Sequence, residues 1–496
     1  MLNIFKKIEL ALFYLFIFSI PLEKRHVFET AASRIDEHFI EWNSASLYLS
    51  DILLGLVILF WIIRFFINKY CSSEAKRSRE LDAKIRKKPY FSTGSKTNFF
   101  LLLIFSIFIL ISLISALNSQ FVNLSLYHLF KLLEYGVLFF YVISNIKTIK
   151  KVTHTLLTFI ASSFLQAILG IAQYLKQGSF NLKIFGEVDL SPVLQNISKI
   201  DVEGTKMIRA YGTFPHSNVL AGFLFISIIF TICLMFIILN KVGVIHELPL
   251  LRIIKLPPLV LILYILSLGL LLTFSRSGWL ACLISILFII ISILFLSPAF
   301  RTFLVNQFRK NFSKINIIIV LILFIGITLA IFWPQITSRD IGSNPEDEYS
   351  VSGRTLYNYL ASDIIKDNLL LGVGPGLFVN HLGKYLSENL TWWQLQPVHN
   401  VYLLILAEQG LLGFIAFIIF IFYILSQIRH FNFKQKGNDF TKQILIISFA
   451  SILFSLFIIM LFDHYLWDIQ QGVLCFFLIL GLFYTGTNLN KKIQQK

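Results

Sequence analysis

An all-α polytopic membrane protein, a single integral membrane domain over residues 1–496, is the fold class this chain predicts. Apolar runs near or above the spanning length of about 20 residues recur along most of the sequence. Hydrophobic residues make up 56% of the chain and charged ones only 14%. Lysine and arginine gather in alternate connections between the runs, as a multi-pass chain requires. Twelve spans follow, near 8–22, 46–67, 98–117, 124–145, 155–175, 216–240, 257–274, 278–297, 315–333, 399–426, 444–462 and 471–486. The first is short and its Lys6-Lys7 flank resembles a signal-peptide start. However, Ser19-Ile20-Pro21-Leu22-Glu23 offers no small-x-small cleavage site, so an uncleaved anchor is expected.

Orientation follows from the positive charges, which are retained in the cytoplasm when they flank a span. The loop 68–96 holds Lys69, Lys76, Arg77, Arg79, Lys84, Arg86, Lys87, Lys88 and Lys96, and the connections near 146–154, 241–256, 298–314 and 427–443 are basic too. The opposite connections run acidic or balanced, with Glu23, Glu29, Asp36, Glu37 and Glu41 in the first and Glu346, Asp347 and Glu348 in the longest. Both termini are then cytoplasmic, and the loops 176–215 and 334–398 face outward. The net charge of +16 sits in juxtamembrane loops touching anionic lipid, so no nucleic-acid partner is implied. Three of the four cysteines, Cys233, Cys282 and Cys475, lie in apolar spans and Cys71 in a cytoplasmic loop. That placement excludes a disulfide framework or a zinc site.

Polar chemistry concentrates at the outer mouths of a few spans. The loop 176–215 ends in Arg209-Ala210-Tyr211-Gly212-Thr213-Phe214-Pro215-His216-Ser217-Asn218, which sets an arginine, an imidazole and an amide before an apolar helix. Arg276 stands in the tight hairpin Thr273-Phe274-Ser275-Arg276-Ser277-Gly278. In the long loop, Leu356, Tyr359, Leu360 and Ile364 recur at helical spacing beside Asp363, Lys366 and Asp367. An amphipathic helix along the bilayer surface is expected, with Arg354 of Ser352-Gly353-Arg354 at its N-terminal end. Gly372-Val373-Gly374-Pro375-Gly376 then breaks the chain, and it lacks the Lys-Ser or Lys-Thr that would complete a phosphate loop. Val398-His399-Asn400 closes the loop where it enters the next apolar run. A titratable ring at such a mouth can exchange protons with water, which suits a general base. One neutral base and several fixed cations at a membrane surface point to chemistry on a lipid-linked anion.

Each of these residues also has a structural reading. Arg276 could snorkel to headgroups, Arg354 could lie on a solvated surface, and His399 could cap a helix or sit at the interface. Glu408, inside the apolar run with Gly410 and Gly413, needs a partner cation or a proton, because an unpaired acid there costs a few kcal/mol. In the outward group Asp463-His464-Tyr465-Leu466-Trp467-Asp468, Asp463 or His464 could orient another side chain or help hold an acceptor. Trp392, Trp393 and Trp467 read as interfacial anchors or as sugar platforms.

Together, Arg209-x-x-Gly212-Thr213-Phe214-Pro215-His216-x-Asn218, Ser275-Arg276-Ser277-Gly278, Gly353-Arg354, Gly372-x-Gly374-x-Gly376 and His399-Asn400 followed by Glu408-x-Gly410-x-x-Gly413 resemble the O-antigen ligase and polymerase family of bacterial envelope proteins. The resemblance runs from about residue 200 to 415. It implies a GT-C type glycosyltransferase of the inner membrane, without metal or cofactor, working on the outer face. Such an enzyme moves a glycan from a polyprenyl-diphosphate donor to a glycan or lipid-anchored acceptor. By motif position it assigns His399 as base and Arg276 and Arg354 as the diphosphate grip. Arg209, His216, Asn218, Asn400, Glu408, Asp463 and His464 are expected to bind substrate. His216 stands where the family would place a small or amide residue, and the 68–96 insertion is longer than the family suggests. Ligase and polymerase differ only in acceptor, and both stay open. Outside the family, the sequence is compatible with a twelve-span secondary transporter, a flippase-like envelope transporter or a non-catalytic scaffold. The longest loop lies outward between spans nine and ten, not centrally in the cytoplasm, which favours the enzyme.

The charge asymmetry predicts sidedness. Cysteines introduced at Asn344 and Ser387 should react with an impermeant thiol reagent in cells whose outer membrane, if any, is opened, whereas the native Cys71 should react only after lysis. The reverse pattern would put His399 in the cytoplasm.

Overall fold

Backbone N–H and C=O groups in hydrocarbon have to find partners within their own segment, and this drives the apolar runs into helices. The computed structural model describes residues 2–29, 33–35, 38–80, 94–195, 197–239, 256–296, 323, 325–338, 345–386, 394–431, 433 and 440–489. Most of the 68–96 loop and of the span at 315–333, the connections at 241–256 and 298–314, part of 427–443, and Trp392 and Trp393 lie outside these residues, or have side chains that do.

The helices are α1 (Leu2–Ser19), α2 (Leu49–Glu80), α3 (Gly94–Leu117), α4 (Val122–Asn145), α5 (Ile149–Lys176), α6 (Ser217–Leu239), α7 (Leu256–Leu272) and α8 (Arg276–Leu296). They continue with α9 (Trp333–Thr337), α10 (Pro345–Asp367), α11 (Phe378–Tyr385), α12 (Val401–Ser426), α13 (Phe440–Ile459), α14 (Tyr465–Asp468) and α15 (Gln470–Asn488). Nine of those described are long and apolar enough to cross a membrane, and α7 is a shorter apolar helix. The chain is thus a mainly helical, multi-pass membrane protein. α15 is wrapped on all sides and forms the centre of the bundle, whereas α2 lies at its edge. Phenylalanine and isoleucine fill the main core, with Phe139, Phe159, Phe223 and Phe230 almost fully buried.

The connections add strands to the expected all-α fold. β1 (Arg25–Phe28) pairs antiparallel with β4 (Ala45–Tyr48), setting Arg25 opposite Tyr48. β2 (Arg34–Ile35) pairs with β3 (His38–Phe39), and β5 (Lys199–Val202) pairs with β6 (Thr205–Ile208). All three are two-stranded hairpins, too short to register as alternating patterns in an apolar sequence.

The long loop builds a core of its own. Tyr357, Leu360, Ala361 and Ile364 of α10 are buried together with Phe378 and Leu382 of α11 and Leu404 and Ala407 of α12. The expected apolar stripe is therefore shifted: Leu356 and Tyr359 are exposed, and the 357–360–361–364 face packs onto protein. Arg354 sits well inside α10 and not at its start, because the helix begins at Pro345.

Two glycines let this loop touch α12 backbone to backbone. Gly372 has φ +68° and Gly410, at a kink in α12, φ +63°. A Cβ on Gly372 would stand 2.4 Å from the Glu408 carbonyl carbon, and one on Gly410 2.4 Å from that of Leu370. Hydrogen bonds from Val373 N to Ala407 O and from Leu411 N to Leu369 O close the contact.

Gly410→Ala combines a left-handed backbone costing about 1–2 kcal/mol with that collision. It should lower thermal stability in detergent clearly below the parent, whereas Gly383→Ala, with open space around its Cβ, should leave the melting temperature nearly unchanged. Equal melting temperatures for both would show that the contact carries no stability.

Candidate active site

One cavity of about 1630 Å³ gathers the polar helix mouths. Arg209, His216, Asn218, Arg276, Arg354 and His399 line it, joined by Glu408, Asp463 and His464. Of the ten residues singled out in the sequence, Asn400 alone stays outside the lining. It is the N-cap of α12, where its side chain accepts from Tyr402 N and Leu403 N, a use of asparagine that needs no substrate.

Local structure explains how each group is delivered. Arg276 is the first residue of α8, reached through a turn in which buried Phe274 adopts φ +46°. A non-glycine residue held in that region stores strain, which surrounding packing has to overcome. Gly278 lets α8 approach α6 closely, since a Cβ there would lie 2.6 Å from the Ala221 Cβ. Arg354 carries a buried Nε with no hydrogen-bond partner, a donor that the protein desolvates without compensating.

A chain of polar contacts ties α6 to the α13–α15 connection. Arg209 donates from Nε to Thr273 O at 2.5 Å and from Nη2 to Asn218 Oδ1 at 2.7 Å. Asn218 Nδ2 in turn donates to Asp463 Oδ2 at 2.8 Å, and His464 N donates to Asp463 Oδ1 at 2.9 Å. Arg209 is thus committed to holding this scaffold as much as to meeting a ligand. His216 accepts at Nδ1 from Asn218 N and meets Ser198 Oγ through Nε2 at 2.6 Å.

The three imidazoles differ in state. His399 Nδ1 lies 3.2 Å from Pro397 O. A carbonyl can only accept, so in the neutral ring Nδ1 carries the proton and Nε2 keeps a lone pair. Burial, aided by His464, Arg354 and His216, pushes the His399 pKa down to about 3. Burial and Arg209 push His216 down to about 3 likewise. His464 goes the other way: burial opposes its charge, but Asp468 outweighs it and raises the pKa, with the carboxylate 2.8–2.9 Å from Nδ1. Burial raises the Asp463 carboxyl, yet the three imidazoles and Arg354 more than offset this and hold it below its usual range.

Glu408, for which a cation or a proton is expected, is met by hydrogen-bond donors. Trp467 Nε1 donates to its carboxylate at 3.1 Å, and the backbone N–H groups of Gly376 and Phe378 also reach it. Trp467 thus supports Glu408 from outside the cavity lining. Among the described residues no three His, Cys, Asp or Glu side chains are grouped as a metal site requires.

Residues 259–418 match the family model for O-antigen ligase. This segment is similar to that family. It contains Arg276, Arg354, His399 and Glu408, so the family match and the cavity converge on the same helices. No curated protein matches the chain. The O-antigen ligase family carries out glycan transfer within polysaccharide biosynthesis, in agreement with the resemblance read from the motifs.

Sequence reasoning missed Asp468, Tyr357 and Trp42. Tyr357 stacks on His399 with ring centroids 6.2 Å apart and planes 12° from parallel. His399 meets His464 edge-on at 4.8 Å, and His464 meets Trp42 edge-on at 5.3 Å. Asp468, four residues after His464, carried a readable signal, because that spacing on a helical turn brings side chains together.

The Asp468 carboxylate should set the His464 titration. In Asp468→Asn the His464 ring should lose its proton at lower pH than in the parent, as followed by NMR of labelled histidine. An unchanged midpoint would mean that another group holds the proton.

Proposed function

We propose that this chain is a glycosyltransferase that moves a glycan from a polyprenyl-diphosphate donor to an acceptor hydroxyl on the outer face of the inner membrane, as a ligase or a polymerase. The observation that carries the reading is the convergence of Arg276, Arg354 and a neutral His399 in one cavity, within the segment matched to the O-antigen ligase family.

In this reaction the acceptor oxygen attacks the anomeric carbon and forms a new C–O bond. The bond from that carbon to the diphosphate breaks, and the polyprenyl diphosphate leaves with the electron pair. The acceptor proton passes to His399 Nε2. Attack opposite the leaving group inverts the anomeric centre. Guanidinium forks match phosphate oxygens better than ammonium does, and the orphaned Nε of Arg354 would gain its missing partner from the diphosphate. Fixed charge aimed at a developing anion usually contributes more to such catalysis than any other effect. Arginine then supplies what a divalent cation supplies elsewhere, so the reading includes metal independence and a GT-C-like arrangement.

The low basicity of His399 is consistent with this order of events. A pKa near 3 keeps the ring neutral from mildly acidic pH upward in the donor-free protein. A bound diphosphate places negative charge among the cations that depress it, which raises the basicity of the ring when the acceptor has to be deprotonated.

Purified protein supplied with a polyprenyl-diphosphate oligosaccharide should produce either self-lengthened chains or glycan on an added acceptor, and activity should survive chelators. His399→Ala should cut turnover by roughly two to four orders of magnitude with donor still bound. Near-normal turnover would return His399 to a structural role. Arg276→Lys and Arg354→Lys keep charge but lose the fork, and both should be impaired. The alanine variants should each lose about 1.5 to 3 kcal/mol of charged hydrogen bonding, or about ten- to a hundredfold in rate. Wild-type rates in both lysine variants would refute the clamp.

A further inference from the structure

The cavity has a second arm that the donor reading leaves unused. Its wall is the N-terminal outer segment: the hairpin β1–β4 and the 3-10 turn Glu41–Asn43. The hairpin is braced by Tyr127 of α4, whose hydroxyl donates to Ser46 O at 2.8 Å. Ser44 Oγ donates to Glu41 O at 2.7 Å and fixes the turn. Arg25 donates to Tyr48 Oη at 2.9 Å and to Glu41 Oε1 at 2.5 Å, and its Nη1 stands 3.3 Å from Glu23 Oε1. One guanidinium thus faces two carboxylates, and this arm is not cationic. A diphosphate gains nothing there and is drawn instead to Arg276 and Arg354.

Ring contacts order the two arms. Arg354 lies one helical turn from Tyr357, Tyr357 stacks on His399, His399 touches His464, and His464 touches Trp42. Trp42 directly follows Glu41, so the imidazole pair stands between the arginine side and the Trp42–Glu41 side. Trp42 is half-buried and lines the cavity, and the Glu41 side chain remains 46% exposed despite its ion pair. A half-covered indole next to an accessible carboxylate suits a neutral sugar. The C–H face of a pyranose lies against an aromatic ring, and its hydroxyls donate to a carboxylate.

We infer that the Glu41–Asn43 turn is the acceptor subsite, taking a neutral pyranose ring of the acceptor glycan with Trp42 against its C–H face and Glu41 at its hydroxyls. This rests on the glycosyl-transfer reading above. A ring on Trp42 is one imidazole away from His399, so the acceptor oxygen comes to the base while the donor phosphates occupy the opposite arm.

The test uses the full-length protein in detergent, a polyprenyl-diphosphate oligosaccharide as donor, and the glycolipid fraction of the source envelope as acceptor. Acceptor concentration is varied at saturating donor, and retention of radiolabelled polyprenyl diphosphate is measured in parallel. Trp42→Ala should raise the acceptor KM roughly three- to tenfold, the scale of one lost aromatic contact, with donor retention and donor KM unchanged. Trp42→Phe should recover part of the loss, and the exposed change Glu41→Gln should raise the acceptor KM without altering donor retention. An unchanged acceptor KM in Trp42→Ala and Glu41→Gln, or a loss confined to donor retention, overturns the subsite while leaving the enzyme reading intact. Failure of the wild type to transfer glycan to any acceptor overturns the enzyme reading, and the subsite with it.

Discussion

The site depends on one backbone contact, that of residues 369–374 with the kink of α12. Gly372 and Gly410 each take a left-handed conformation so that two main chains can approach more closely than any side chain would permit. The loop N–H groups of Val373 and Gly374 bond to Ala407 O and Glu408 O, and the N–H of Leu411 returns to Leu369 O. These bonds join the end of α10 to the middle of α12. Arg354 and Tyr357 ride on the first helix and His399 stands at the mouth of the second, so the spacing of guanidinium and imidazole is set by a contact that touches neither. Glu408 falls at the same junction, where peptide N–H groups and an indole satisfy it. In an apolar span this is cheaper than leaving an acid unpaired.

Above that junction the chief constraint is electrostatic. Gathering several arginines and imidazoles around one cavity penalises every additional positive charge, and His399 and His216 yield by staying neutral. His464 escapes because Asp468, bonded to it, and Asp463 beside it favour its charge. An anionic ligand placed among these groups would relieve that penalty. Desolvated cations bind an anion more strongly than solvated ones, since the interaction is screened less.

Eleven helices coincide with predicted spans because hydropathy over about 20 residues is a long, redundant signal, robust to any single residue. The residues that share the cavity were legible where polar groups interrupted it at helix mouths, as at Arg209–Asn218, Arg276 and His399. What escaped was relational. Whether Leu356 or Tyr357 faces the core is a phase difference of one residue, and the second apolar surface that decides it, α11 with α12, lies far along the chain. Trp42 sits in the short Glu41–Asn43 turn and Arg25 in a short strand, and their partners, His464 and Tyr48, are remote or hidden by the absence of alternation. Asn400 shows an ambiguity of another kind: the chemistry that caps a helix is the chemistry that binds a sugar, and one residue type serves both.

Cavity volume bears on the proposed mechanism more directly than any single residue. Pockets for one small ligand run to roughly 300–1,000 Å³, and this one is about 1630 Å³. A double-displacement enzyme can use one pocket twice, holding the glycan on a side chain between visits. A direct displacement has to hold donor and acceptor at once, with the base between them. A large cavity, cationic on one side, carboxylate-lined and aromatic on the other, and divided by a pair of imidazoles, supports the second course. It also locates where ligase and polymerase can diverge. In the proposed reading the donor arm answers to the diphosphate, common to both reactions, and acceptor choice would fall to the N-terminal segment, which lies outside the matched segment 259–418.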